Sequence, residues 1–223
     1  VLRVETGGQL RVQHFSELLV EEGGTLIIEA DALIQLWSGN GPDGLANIHV
    51  AGTLEVEDNF DFSGDGYFQF DATHTLVFGA GMTEFKIKGT GIARRFLKLN
   101  AQTVLDFSNL NLRLENGEVQ YEAGAKIKTG TGSEIRFFNM EFRDLSPGGA
   151  TALLAPQAAY IALQNCSFQE LFEGIVTDGL SGYPAATPLW FLEVNSSSFA
   201  GCDIAIQVSN TPAISIRNSI SNQ

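Results

Sequence analysis

A short strand phrase returns along the chain and limits what it can fold into. It reads Gly-Gly-Gln-Leu-Arg-Val at 7–12, Gly-Gly-Thr-Leu-Ile-Ile at 23–28, Ala-Gly-Thr-Leu-Glu-Val at 51–56 and Thr-His-Thr-Leu-Val-Phe at 73–78. Weaker echoes follow at 102–107 and 124–128. The anchors Leu10, Leu26, Leu54, Leu76, Leu105 and Ile127 are separated by 16, 28, 22, 29 and 22 residues. Inside each copy apolar and polar residues alternate, the pattern of a half-buried strand. A unit this short cannot bury its apolar face alone, so it must stack on copies of itself. The expected fold is all-β, a single parallel β-helix (β-solenoid) of roughly ten coils of about 22 residues. It forms one continuous domain over 1–223.

Two features of composition bear on that reading. Sixteen Phe stand against two Met and two Trp, which stacked Phe columns inside a solenoid would explain. The 24 glycines suit a chain that turns a tight corner several times per coil. Net charge is −13, and residues 1–71 carry thirteen acids against only Arg3 and Arg11. Such a surface excludes nucleic acid as a partner, because phosphate binding needs clustered Lys and Arg. It fits solubility or attraction of divalent cations better. Cys166 and Cys202 alone make no disulfide framework, and both are expected as buried free thiols. No apolar run approaches the roughly 18 residues of a membrane span. The chain starts at Val1 without a signal peptide and stops at Gln223 inside a repeat-like phrase. It is expected to be a piece of a longer polypeptide.

Two repeat dialects are legible. Residues 1–130 use the Gly-Thr-Leu phrase, with alternating segments such as Phe85-Lys86-Ile87-Lys88. Residues 131–223 place Asn ahead of Phe or Ile, at Asn139–Phe142, Asn165–Phe168, Asn195–Phe199 and Asn218–Ile220. This second dialect resembles the right-handed parallel β-helix of the pectin-lyase-like superfamily, whose coils stack Asn at a turn and Phe or Ile inside. The first resembles the Gly-Thr-Leu coils of large secreted bacterial adhesins. Buried Asn side chains at the repeat corner would satisfy backbone groups and stack on one another. That accounts for Asn165-Cys166-Ser167 and Asn195-Ser196-Ser197 better than their match to the glycosylation pattern.

Several clusters carry candidate chemistry. Asp58, Asp61 and Asp65, with Asp71 beyond, could offer hard oxygens to Ca²⁺, although their spacing matches no Ca²⁺ loop. Without that possible Ca²⁺, no cofactor is expected. Lys86, Lys88, Arg94, Arg95 and Lys98 form a basic ledge, which Lys126 and Lys128 extend by the same alternation. The ledge would hold an anionic glycan or pair with acids on neighbouring coils, a disposition that also discourages edge-to-edge association. The turn-rich insertions 38–44 and 178–188 interrupt the rhythm, and loops on one face of a solenoid are often its binding face. They bring Trp37, Asp43 and Tyr183 forward as ligand contacts, with Trp190 nearby. His49 and His74 sit at different phases of the repeat, so their 25-residue separation reads as coincidence.

Catalytic phrases are missing. Glycosidases with this fold resemble one another in paired Asp residues, a Gly-His-Gly phrase and an Arg-x-Lys phrase, and the set does not occur here. A glycosidase needs two positioned carboxylates, and no pair stands out. Neither a Gly-x-Ser-x-Gly elbow nor a phosphate loop is found. No catalytic residue is assigned. The reading is a non-catalytic structural or binding segment of a secreted or cell-surface bacterial protein, adhesin-like. Its partners would be a polysaccharide or cell-surface glycan, further segments of the same chain, or a neighbouring subunit. Two alternatives stay open: a polysaccharide lyase or glycoside hydrolase using the Asp58–Asp71 acids, and a phage tail-spike or fibre segment.

Overall fold

Each copy of the strand phrase lies directly on the next. In the computed structural model, which describes residues 1–13, 16–37, 46–89, 97–146, 149–178, 191–209 and 214–222, Leu26 pairs with Leu54 and Leu54 with Leu76. Leu105 pairs with Ile127 in the same way. Every ladder is parallel, and among the described residues there is no helix. The chain is a parallel β-solenoid of about eight turns of about 24 residues. The turns are fewer and longer than the expected ten because some steps are lengthened at corners. In-register partners stand 22 residues apart at Leu54/Leu76 but 28 at Leu26/Leu54 and 31 at Ile175/Ile206.

A coil has three strands, as in Thr25–Ile28, Leu33–Trp37 and Asn47–Val50. The first face runs from Leu2–Val4 to Ile204–Ser209, and the second begins with Gln9–Gln13. The third is one uninterrupted ladder from Glu17–Val20 to Ile220–Asn222. Two 11-residue strands, Asn111–Tyr121 and Glu134–Asp144, cover the second and third faces in one run. One anchor read from the sequence is displaced. Leu10 stands on the second face against Ile34, and it is Leu2 that continues the column below Leu26. The first coil uses a Gly-Gly-x-Leu phrase at two of its corners, so the phrase alone does not say which face follows.

Inside, the alternating apolar residues fill the tube at close packing. Phe142, Phe168 and Phe199 form a stacked column, with centroids 4.7 and 4.6 Å apart and ring planes within 11°. The Phe-rich composition thus serves columns of this kind, each buried ring contributing about 1.5–3 kcal/mol of transfer free energy. Cys166 and Cys202 are buried and unbonded. Burial pushes the Cys166 thiol up to about 11.

The corner between second and third faces explains the Asn dialect. Asn116, Asn139, Asn165, Ser196 and Asn218 occupy it in turn with φ between 50° and 60°. Asn enters that left-handed region more readily than other side chains. Asn165 Nδ2 donates to Asn139 Oδ1 at 3.1 Å, and Asn139 Nδ2 to Asn116 Oδ1 at 2.9 Å. The expected amide ladder exists, with two corrections. It lies on the outside of the bend, Asn139 and Asn165 being exposed, because the left-handed residue turns its side chain out. Ser196, not Asn195, continues it; Asn195 stands in register with Gln164 and donates to Glu193 at 2.9 Å.

Candidate functional site

The most enclosed polar surface lies on the outside of the second face, over 111–115, 134–138 and 160–164. Period-2 alternation turns every other residue of these strands outward, and register aligns them in rows along the solenoid. One row runs Lys86, Arg113, Arg136, Ala162, Glu193. Beside it stand Glu84, Asn111, Glu134 and Tyr160 on one flank, and Lys88, Glu115, Phe138, Gln164 and Asn195 on the other. Ala162 is the smallest member of its row, and its methyl group among long neighbours leaves a groove of about 400 Å³.

Each arginine of the groove is steadied by an acid two residues away on its own strand. Arg113 pairs with Glu115, and Arg136 with Glu134 at 3.0 Å. The Arg136 guanidinium also lies 5.6 Å from the Tyr160 ring centroid, within reach of a cation–π attraction. Tyr160 Oη donates to Glu193 Oε2 at 3.0 Å. Partial burial, then that hydrogen bond and the negative charge of Glu193, raise the Tyr160 phenol to about 12. It therefore stays a neutral donor. Phe138 leaves 37% of its surface to solvent at the other margin. Lys86, Lys88, Arg113 and Arg136 face Glu84, Glu115, Glu134 and Glu193, so the groove carries no excess of either charge. Chemically it is an aromatic-flanked trough of fixed donors and acceptors.

The residues singled out from sequence fare unequally. Lys86 and Lys88 belong to this face and lead into the groove. Trp37, 47% exposed, ends a strand two coils earlier, in register with Gln13, and is not brought near them. Asp43, Arg94, Arg95, Tyr183 and Trp190 lie outside the described residues. Lys126 and Lys128 do not extend the ledge: they stand on the first face, paired with the strands Val104–Phe107 and Thr151–Pro156. The cations pair across coils, in line with one of the two readings of the ledge, at Lys88–Glu115 3.9 Å, Lys98–Glu122 3.3 Å and Lys128–Asp106 3.0 Å. Exposed pairs of this kind contribute about 1 kcal/mol or less. Asp58 lies in a corner, where its Oδ1 accepts the Asn59 N–H at 2.7 Å; Asp61 opens the next strand and Asp65 follows its end. Among the described residues no three His, Cys, Asp or Glu side chains come together as a metal site.

Sequence reasoning does not find Arg113, Glu115, Arg136, Phe138, Tyr160 and Gln164. Their signal is the outward position of each strand, readable only after corner lengths are known, since the row advances by 27, 23, 26 and 31 residues from Lys86 to Glu193.

The two described histidines meet at one residue, so their separation is structural. His49 Nε2 lies 2.8 Å from Asp71 Oδ2, and His74 Nδ1 2.6 Å from the Asp71 carbonyl oxygen. His49 Nδ1 lies 3.4 Å from Glu17 Oε1, so this ring ties three coils together. Burial lowers the His74 pKa against the opposing pull of Asp71. Acidification through the ordinary range near 6.5 then protonates the unfolded chain before the folded one, so this group withdraws stability as pH falls. Urea midpoints at about pH 7.5 and about pH 5 are expected to fall further apart in the parent than in His74→Asn. Equal pH dependence would show that His74 is not the group responsible.

Compared with known proteins, the chain matches no protein family, no curated protein and no solved structure.

Proposed function

We propose that this chain is a non-catalytic binding rod whose second-face groove holds a glycan, in the manner of adhesin segments of secreted or cell-surface bacterial proteins. The supporting observation is the Arg136–Tyr160–Phe138 trough over Ala162, with Arg113, Glu115 and Gln164 as fixed polar contacts. Apolar rings flanking converging polar groups are the usual make-up of a small-molecule site. Because the charges are mutually paired, a neutral polysaccharide suits the trough better than an acidic one. A right-handed, pectin-lyase-like coil belongs to the same proposal, supported by the Asn corner and the Phe column.

The test is a panel of neutral and acidic polysaccharides, with binding and newly formed chain ends both measured. Expected is binding of a neutral glycan that changes little with salt and weakens about tenfold, about 1.4 kcal/mol, in Tyr160→Ala or Phe138→Ala. Binding of acidic chains alone, with steep salt dependence, would overturn the neutral assignment. Release of reducing or unsaturated ends would make the chain an enzyme.

A further inference from the structure

The wall of the solenoid is interrupted at its fourth coil. On the first face, Thr75–Phe78 pairs with Thr53–Val56 below it, and Val104–Phe107 pairs with Lys126–Thr129 above it, but the two do not pair with each other. On the second face, Asp61–Gly64 and Glu84–Lys88 likewise do not pair with each other. There the gap is stitched by one side chain. Asn59 Oδ1 accepts the Lys86 N–H at 2.9 Å, and Asn59 Nδ2 donates to the Glu84 carbonyl at 3.2 Å. The first-face gap has no such stitch among the described residues. It is an opening of about 610 Å³, lined by Val77, Gly79 and Met82 on one wall and by Asp106, Ser108 and Leu110 on the other.

Both walls are bare strand edges. Thr75 and Gly79 donate their N–H groups back to Gly52 and Val56, at 2.8 Å each. Successive residues of a strand present their backbone groups to opposite edges, so Leu76 and Phe78 turn theirs toward the opening. Opposite them, the Lys126 N–H donates to the Thr103 carbonyl at 2.9 Å. Leu105 and Phe107 therefore face that neighbour, while Val104 and Asp106 present their backbone groups to the opening. Unpaired edges of this kind are templates for another strand. Below the opening the tube is closed by three rings: Phe78–Phe107 at 5.6 Å, Phe78–Phe85 at 5.6 Å and Phe85–Phe107 at 5.0 Å.

We propose that this slot receives one extended strand of a partner polypeptide, hydrogen-bonded to both walls by strand addition. The walls specify that strand. Its inward side chains must be small, because the Phe78–Phe85–Phe107 plug already fills the space beneath. Its outward side chain between Val77 and Asp106 is basic, since Asp106 is the one charged residue of the lining among the described residues and the whole chain carries −13. A neutral or basic residue beside Thr75 and Val104 completes the outer row. The slot lies on a different face from the glycan groove and does not depend on that reading.

The probe is the peptide acetyl-Thr-Val-Ala-Lys-Ala-Thr-amide, with amide hydrogen exchange at Leu76, Phe78, Val104 and Asp106 as the readout. These amides are expected to exchange fast in the free protein and to slow at least about tenfold with saturating peptide. The same peptide N-methylated at Val and Lys is expected to have no effect. Asp106→Lys should lose the parent peptide and recover binding to the version with Glu in place of Lys. Protection of the four amides without peptide would show the slot closed and overturn the proposal. An unchanged exchange rate, protection of other strands only, or no rescue by the charge swap would each overturn it as well.

Discussion

Replacing Phe168 by Ala is expected to lower stability by about 3–5 kcal/mol. The ring is fully buried between Phe142 and Phe199, nearly parallel to both. Truncation removes its transfer free energy and opens a void, because a close-packed interior relaxes incompletely. In a solenoid the loss is not shared evenly. Each coil is held by its neighbours, so a weakened interface releases the coils beyond it. Urea unfolding should move to a lower midpoint, and the strands from Glu173–Asp178 onward should lose amide protection first. Phe168→Leu keeps most of the volume and should cost about 1.5 kcal/mol or less. An Ala variant within about 1 kcal/mol of the parent would mean that the column packs without holding the coils together.

Gly64→Ala is expected to cost about 3 kcal/mol or more. Gly64 has φ 112°, a conformation L side chains rarely adopt, with a strain of about 1–3 kcal/mol. A Cβ there would lie 1.9 Å from the Leu36 carbonyl oxygen. That oxygen already accepts the N–H groups of Asp65 at 3.0 Å and Gly66 at 2.9 Å. The added methyl must therefore break a corner or push neighbouring strands away from each other. Gly7 is the control: its φ is 70°, but a Cβ would meet nothing within 4 Å, so Gly7→Ala carries backbone strain alone. Equal losses of stability in the two variants would show that the close approach at Leu36 contributes nothing.

What the sequence makes legible is the relation of each strand to its own copy. Leu26, Leu54 and Leu76 stack as their shared phrase implies, and Phe142, Phe168 and Phe199 share one column. Alternation says whether a residue points in or out, but not which face it stands on. For that reason it puts Leu10 in the wrong column and carries Lys126 and Lys128 onto the ledge of Lys86. Corners add residues without altering register, so Asn195 and Ser196 can be told apart only by which one bends the chain. The groove is hidden for a related reason. It is made by residues that differ in every coil, Arg113, Arg136, Ala162 and Glu193, and by the small size of one of them. A repeat search finds likeness, and this site consists of departures from it.

The uninterrupted third face has a thermodynamic consequence. Among the described residues it is the only ladder that crosses the fourth coil, so it alone transmits backbone pairing between the coils before the break and those after it. In a stack governed by nearest-neighbour terms, the weakest junction sets where cooperativity divides. The chain is therefore two folding units sharing a spine, and a strand seated in the slot would join them into one.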